Sequence, residues 1–270
     1  MVRDVALGQY FPGNSIIHRL DPRVKIVLLI TFIVLIFCTF NYIALALTAA
    51  VTALIVAFSG VPVKMYLKSL KVIIVIVIFT SVLNLFYGTG EPIWQWGILK
   101  LTVDGINRAI FVTVRIICLI LASSSLTFTT SPTDLTDAIE RLMKPLKIFH
   151  IKVHEIAMMM TIALRFIPTL LEETDKIMQA QKARGADMDS GNLLQRVKAL
   201  IPVLIPLFVS SFRRAYELAM AMECRCYQGG EGRTRMKILH MKKRDYIMIF
   251  ATVAVLVGVV LCNVFFQAAV

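Results

Sequence analysis

The sequence predicts an all-α polytopic membrane protein, because its composition is more apolar than that of soluble domains and its apolar residues form long runs. Of the 270 residues, 58% are hydrophobic, and the mean hydropathy is +0.76. An ordinary soluble domain has roughly 45–50% apolar residues, and a helix that crosses a bilayer needs about 20 mostly apolar residues. We therefore expect about five transmembrane helices, together with a cytoplasmic set of long helices.

The first apolar run, residues 26–58, is too long for a single span. As one helix it would measure about 50 Å, whereas the hydrocarbon core of a bilayer is roughly 30 Å thick. The polar residue Asn41 therefore predicts a division into two spans. With three later apolar runs, the predicted spans lie near 26–40, 43–58, 72–86, 106–128 and 246–266.

The residues just before the first span carry helix-start signals. Asp21 is suited to the N-cap and Pro22 to the first helical position. Arg23 and Lys25 are expected to anchor this end of the helix at the lipid headgroups. In the fourth span, Arg115 would be costly if it faced lipid, so we expect it to pair inside the helix bundle.

The positions of lysine and arginine predict the orientation of the chain. Basic residues precede the first span, lie between the second and third, and are dense from 141 to 244. Because cytoplasmic loops carry an excess of positive charge, we expect the N-terminus and residues 130–244 in the cytoplasm and the C-terminus outside. The net charge of +12 then follows from topology and anionic lipid, and no nucleic-acid partner is expected.

The chain thus divides into an N-terminal membrane region (1–129), a cytoplasmic or interfacial set of helices (130–244) and a C-terminal transmembrane helix (245–270). In the second part, Ser131 and Pro132 have the types expected at a helix start. A proline at position 145 is expected to end that helix.

Two longer helices are predicted over about 151–184 and 192–226. Each has an apolar part that is too short to span a bilayer and a polar part that follows it. A helix that is half apolar without spanning belongs at the membrane interface or against other helices.

Cysteine and histidine positions indicate no metal or cofactor site. The five cysteines lie mostly within spans, and Cys224-x-Cys226 lacks both the spacing and the second pair of a zinc site. His150 and His154 are four residues apart but have no third ligand nearby. We therefore expect no catalytic, cofactor-binding or metal-binding residues in this chain.

Both long helices end in an arginine between two small residues, "ARG" at 183–185 and "CRC" at 224–226. A cation near a helix C-terminus complements the helix dipole by roughly 0.3–1 kcal/mol, so capping explains a single such tip. Two tips of similar pattern also fit docking to a partner, because small neighbours allow close approach of a guanidinium to an acidic or carbonyl-lined groove. The residues alone leave both interpretations open.

Four segments in this order resemble the transmembrane T component of energy-coupling factor (ECF) transporters, the CbiQ/EcfT family. They are "GNSIIHRLDPRVKI", "TTSPTDLTDAIERLMKPLK", "ALRFIPTLLEETDKIMQAQKARGAD" and the second arginine tip, and they cover nearly the whole chain. The resemblance implies a bacterial cell-membrane protein whose two long coupling helices each end in an Ala-Arg-Gly motif. Each motif is expected to dock on one of two ABC-type ATPase subunits.

Carried over by position, Ala183, Arg184 and Gly185 would form the first docking motif. Cys224, Arg225 and Cys226 would form the second, which departs from the family pattern because Cys takes a positive φ less readily than Gly. The resemblance further implies a separate S component that captures a vitamin or related micronutrient. ATP and Mg would be used by the ATPases. The substrate cannot be read from this chain, and a dedicated cobalt or nickel system stays open.

The methionines of the two helices are candidates for contact with an S component, because flexible thioethers adapt to different partners. Ordinary core packing is at least as good an explanation for any one of them. The five residues are Met158, Met159, Met160, Met220 and Met222.

The glycine pattern agrees with a transport subunit that is not itself an enzyme. The glycine cluster "GGEGRT" (229–234) lacks the spacing and lysine of a P-loop. One alternative is the permease of a conventional ABC transporter, although two arginine tips on one chain fit it less well. A polytopic membrane enzyme is a weaker alternative, since the acidic residues Glu172, Glu173 and Asp175 are expected to be surface charge on a solvated helix.

Overall fold

The computed structural model describes residues 10–86, 92–96, 99–186, 192–229 and 239–265. Within these ranges the chain forms eight α-helices, a 3₁₀ helix and an antiparallel β-hairpin. In chain order the elements are α1 (Pro22–Phe37), α2 (Tyr42–Ser59), α3 (Val63–Phe86), β1 (Pro92–Trp96), β2 (Leu99–Thr102), α4 (Val103–Thr129), α5 (Pro132–Leu142), the 3₁₀ helix (Lys144–Phe149), α6 (Val153–Ala183), α7 (Leu193–Cys224) and α8 (Lys243–Phe265). The predicted helical fold is confirmed, and the small hairpin is a feature that the sequence did not predict.

Residue contacts divide the chain into two units. One contains α1 to α4, α8 and α5 up to Ala138; the other begins at Ile139 and contains the end of α5, the 3₁₀ helix, α6 and α7. The predicted orientation of the two termini concerns residues 1–9 and 266–270, which lie outside the described residues. The same holds for residues 230–234 of the glycine cluster.

The division of the first apolar run is confirmed. α1 ends at Phe37, and α2 begins after Asn41, whose side chain accepts a hydrogen bond from the backbone N–H of Ile43 at 3.3 Å. At the other end of α1, Asp21 is the N-cap as predicted, because its carboxylate accepts the N–H of Arg23 at 2.9 Å.

Helix α4 is central to the first unit, because α1, α2 and α3 all pack against it. α8 packs against α1 and α2. Where α1, α2, α4 and α8 meet, the buried core consists of Phe32, Leu35, Ile36, Ala44, Cys118, Ala122 and Val259.

The β-hairpin connects α3 to α4, and a glycine permits the close approach of these two helices. A Cβ built on Gly105, in the first turn of α4, would lie 2.4 Å from the backbone oxygen of Leu85 near the end of α3. Real Cβ atoms do not approach an oxygen this closely, so only glycine fits without a shift of the backbone.

Lys25 is buried, so the expectation that it anchors α1 at the headgroups was wrong. Its ammonium group donates to the backbone oxygen of Thr129 at 2.9 Å and to the hydroxyl of Thr130 at 3.2 Å. A buried ammonium needs such acceptors. The equally buried Asp245 accepts the N–H of Asp21 at 2.8 Å, which ties the start of α8 to the start of α1.

Arg115 makes its contacts inside the bundle, as predicted. Its guanidinium donates to the backbone oxygen of Thr39 at 2.8 Å and lies 5.9 Å from the centre of the Phe37 ring. Both partners lie at the end of α1, where the free carbonyl groups of a helix terminus accept hydrogen bonds.

Six helices in the described ranges are long and apolar enough to cross a membrane: α2, α3, α4, α6, α7 and α8. This set differs from the predicted spans in two respects. α1, with 16 residues, is only about 24 Å long. α6 and α7 qualify by length and composition, so the expectation that their apolar parts are too short does not hold on those criteria. Their hydropathy is 1.3 each, however, against 2.2–2.7 for the other four.

Candidate functional site

The second unit is built on an antiparallel pair of long helices, α6 and α7. Gln181 near the end of α6 donates to the backbone oxygen of Pro202 near the start of α7, at 3.3 Å. Towards the middle of both helices, the carboxylate of Glu173 accepts hydrogen bonds from Ser210 and, at 2.8 Å, from Arg214. Because later residues of α6 meet earlier residues of α7, the end of each helix lies beside the start of the other.

Glu173 was expected to be surface charge, and that expectation was wrong. Its two partners follow it by 37 and 41 residues in the chain. No local spacing rule connects residues so far apart, so the sequence held no signal for this contact. The Glu173 clamp, defined as Glu173 with Ser210 and Arg214, fixes the register of α6 against α7.

The first arginine tip is a Schellman motif, the helix ending in which a left-handed residue follows the C-cap. Arg184 is the C-cap of α6, and Gly185 has φ +84°. The N–H of Gly185 donates to the oxygen of Lys182, and the N–H of Ala186 donates to the oxygen of Gln181, both at 3.0 Å. These two bonds satisfy carbonyl groups that the helix end leaves free.

The second arginine tip has the same geometry although its residues differ. Arg225 is the C-cap of α7, and Cys226 has φ +54°. The N–H of Cys226 donates to the oxygen of Glu223 at 2.8 Å, and the N–H of Tyr227 donates to the oxygen of Met222 at 3.1 Å. Cysteine therefore takes the left-handed position that glycine takes in the first tip.

All six residues of the two tips are exposed: Ala183, Arg184, Gly185, Cys224, Arg225 and Cys226. Among the described residues, neither guanidinium makes an ion pair. Both arginines are therefore presented outward from rigid helix ends. They lie at opposite ends of the helix pair, separated by about one helix length, and 31 residues of α6 correspond to about 46 Å.

The surroundings of the two tips differ. Arg225 and Cys226 line a cavity of about 470 Å³ between the start of α6 and the end of α7. Its other lining residues are Met158, Ile162, Leu218, Met222, Tyr227, Gln228 and Gly229. A Cβ built on Gly185 would meet no atom within 4 Å, so open space surrounds that position of the first tip.

The five candidate methionines do not form one outward face. Met158 and Met222 are half-buried and line the cavity beside Arg225. Met159, Met160 and Met220 are exposed. Two of the five methionines therefore lie beside the second arginine tip, and the other three are exposed and free to contact a partner.

The described residues hold no group of three or more histidines, cysteines, aspartates or glutamates placed to bind a metal ion. The two histidines considered above have different surroundings. The ring of His154 lies 3.1 Å from the carboxylate of Glu140, whereas His150 is exposed, with φ +60°.

Comparison with known proteins gives consistent results. The family model described as cobalt transport protein, CbiQ, matches residues 13–237. The chain is similar to the energy-coupling factor transporter transmembrane protein EcfT of Ruminiclostridium cellulolyticum, with 53% identity over 98% of this chain and 100% of that relative. The protein of the same name from Thermosediminibacter oceani is 50% identical over 95% of this chain and 97% of its own length. That of Bacillus subtilis is 46% identical over 94% and 96%.

Proposed function

The chain belongs to the CbiQ/EcfT family of energy-coupling factor transporter transmembrane proteins, and from that premise we propose that it couples ATP hydrolysis by two partner ATPase subunits to uptake through a separate substrate-binding S component. As a member of that family with six long apolar helices, it is a multi-pass membrane protein and a transport subunit of a bacterial type. The coupling contacts, the partners and the orientation are part of the proposal.

The observation that carries the proposal is the pair of equivalent arginine tips. Two Schellman ends of the same geometry present Arg184 and Arg225 at opposite ends of one helix pair. A pair of ATPase subunits side by side would offer two separate grooves, and one rigid helix pair would reach both. Ala183 and Gly185 beside the first arginine, and Cys224 and Cys226 beside the second, are small enough to let a partner approach closely.

Rigidity makes this helix pair suitable for transmitting motion. When ATP binding changes the distance between the two ATPase subunits, the docked tips follow. The Glu173 clamp joins α6 and α7 near their middles, so each rigid helix turns about this point as its tip moves and carries the motion to its other end. In this scheme ATP and Mg stay on the ATPases, and this chain binds no cofactor.

The scheme requires α6 and α7 to lie along the membrane instead of crossing it. In an antiparallel pair that crossed the bilayer, the two tips would lie on opposite faces, and only one would reach a cytoplasmic ATPase. The lower hydropathy of both helices supports the interfacial position. We therefore place residues 130–244 and the N-terminus in the cytoplasm and the C-terminus outside.

The S component is proposed to contact the exposed methionines Met159, Met160 and Met220, which adapt to different surfaces. Met158 and Met222 line the cavity beside Arg225. We therefore propose that they influence this contact only by shaping that cavity. The substrate is expected to be a vitamin or related micronutrient bound by the S component.

The test is co-purification of the full chain with its ATPase pair, combined with assays of ATP hydrolysis and vitamin uptake. The variants are Arg184→Ala, Arg225→Ala and the double substitution. A matched control is Arg213→Ala, an exposed arginine of α7 away from both tips. Loss of an interface arginine of this kind typically costs about 2 kcal/mol, which weakens binding roughly thirtyfold.

We expect each single variant to lose affinity, the double variant to lose the ATPases or uncouple hydrolysis from uptake, and the control to behave as the natural chain. A double variant with a full complement of ATPases and normal uptake would show that the arginines only cap their helices. The coupling scheme would then be wrong.

A further inference from the structure

The connection between α5 and α6 is a well-defined turn. The 3₁₀ helix ends at His150, whose N–H donates to the oxygen of Lys147 at 3.0 Å. Its start is fixed by the N–H of Leu146, which donates to the oxygen of Met143 at 2.9 Å. The six residues 147–152, with the sequence KIFHIK, form what we call the hook. Backbone hydrogen bonds at both ends hold the segment that contains it.

All six residues of the hook are exposed. Ile148 is 80% exposed, the largest fraction among the large apolar side chains of the described residues, and Phe149 is 73% exposed. Two adjacent apolar side chains held in water by an ordered turn are unfavourable, because burial of apolar surface is the main stabilising term in folding and association. An exposed apolar site with polar borders is typical of a contact surface.

Basic residues border the apolar pair. Lys144, Lys147 and Lys152 are exposed. The ammonium group of Lys152 lies 3.3 Å from the carboxylate of Glu155, and ion pairs so accessible to water contribute little. Among the described residues, Lys144 and Lys147 make no ion pair. The hook therefore combines an apolar centre with a net positive border.

This combination distinguishes a lipid surface from a protein partner. The centres of protein interfaces are depleted in lysine. Segments at the membrane surface, in contrast, place apolar side chains between acyl chains while long lysine side chains reach the phosphate groups. The cytoplasmic leaflet is anionic and attracts such lysines.

We propose that the hook is a membrane anchor that inserts Ile148 and Phe149 at the boundary between the headgroups and the acyl chains of the cytoplasmic leaflet. Lys147 and Lys152 of the hook and the neighbouring Lys144 would then lie on the phosphates of anionic lipids. The choice of leaflet rests on the proposed cytoplasmic position of residues 130–244. The anchor would hold the start of α6 at the membrane surface. The helix pair would then move relative to a point that is held on the bilayer.

The experiment uses tryptophan as a depth probe in the full chain. Trp94→Phe and Trp96→Phe remove the natural tryptophans, and Phe149→Trp introduces one in the hook. The matched reference is Gln179→Trp, an exposed position in the polar part of α6. Each protein is reconstituted alone, without ATPases or S component, into phosphatidylcholine vesicles with brominated acyl chains, with and without phosphatidylglycerol.

We expect bromine to quench the hook tryptophan several-fold more strongly than the reference, with stronger quenching when phosphatidylglycerol is present. Combining Lys144→Gln, Lys147→Gln and Lys152→Gln should remove the effect of phosphatidylglycerol, since each lysine near an anionic surface contributes a factor of about five in association. Protection of the buried Cys118 from thiol labelling, as in the unsubstituted chain, would confirm that this variant is folded.

Equal, weak quenching at both positions in all vesicles would overturn the proposal, as would quenching of the hook that does not depend on phosphatidylglycerol or the lysines. A hook tryptophan that stays unquenched by bromine, but becomes shielded from aqueous acrylamide only when an S component or ATPase is added, would assign the hook to a protein partner and would also overturn the proposal. Because the chain is tested alone, failure of the arginine docking would leave these results unchanged.

Discussion

Arg184 and Arg225 occupy the same position in two equivalent Schellman ends, yet they lie at opposite ends of a single antiparallel helix pair. The hydrogen-bond pattern after each arginine is the same, and only the left-handed residue differs, Gly185 in one and Cys226 in the other. The chain thus presents two similar contacts on one rigid element. This arrangement suits a subunit that must engage two partners at once.

The second tip has cysteine where the first has glycine, so glycine should have opposite effects on the stability of the end of α7 at positions 226 and 224. Cys226→Gly should stabilise the end of α7 by about 1 kcal/mol, because the left-handed conformation is costly for residues other than glycine. Cys224→Gly, in the last helical turn, should destabilise it by at most about 0.5 kcal/mol, because glycine has a lower helix propensity than cysteine. Unfolding in mixed detergent micelles measures both, and destabilisation by Cys226→Gly would contradict the assigned helix end.

The proposed position of α6 and α7 along the membrane predicts that both arginine tips face the cytoplasm. In a chain with its other cysteines replaced, we expect Cys224 to react with a membrane-impermeant maleimide only from the cytoplasmic side. A second chain, with Gln179→Cys near the other tip as its only cysteine, should react from the same side. Labelling of the two positions from opposite sides would mean that the helices cross the bilayer.

The Glu173 clamp should contribute to stability mainly through hydrogen bonding. Glu173→Ala leaves Ser210 and Arg214 without their acceptor and is expected to cost about 1–3 kcal/mol. The coupling energy between Glu173 and Arg214 in a double-mutant cycle should stay below about 1 kcal/mol, because the arginine side chain is 37% exposed. Glu172→Ala, the exposed neighbour, should change the free energy of unfolding little.

Two glycines offer a matched test of close helix packing. Gly105→Ala should destabilise the first unit by about 1–3 kcal/mol, because the added methyl group meets the backbone oxygen of Leu85 at 2.4 Å. Gly258→Ala in α8 adds a methyl group at an ordinary 3.6 Å from Leu47 and should be neutral or stabilise by up to about 1 kcal/mol. Equal effects on thermal unfolding would contradict the close approach of α3 and α4 at Gly105.

Local residue patterns were enough to predict the class of the protein, the approximate extent of its main helices and the position of both arginine tips. Helix starts at Asp21 and Ser131 and the break at Asn41 were predicted because capping depends on residues only two or three positions apart. The apolar runs likewise carry their signal locally. These features need no knowledge of what packs against what.

The contacts between distant segments could be found only from the folded chain. Burial of Lys25 depends on the oxygens of Thr129 and Thr130, more than 100 residues later, and the Glu173 clamp joins residues on two helices. The opposite placement of Arg184 and Arg225 follows from the antiparallel packing of α6 and α7. Residue types at one position do not reveal which remote group will satisfy them, because that depends on the direction and register in which the helices pack.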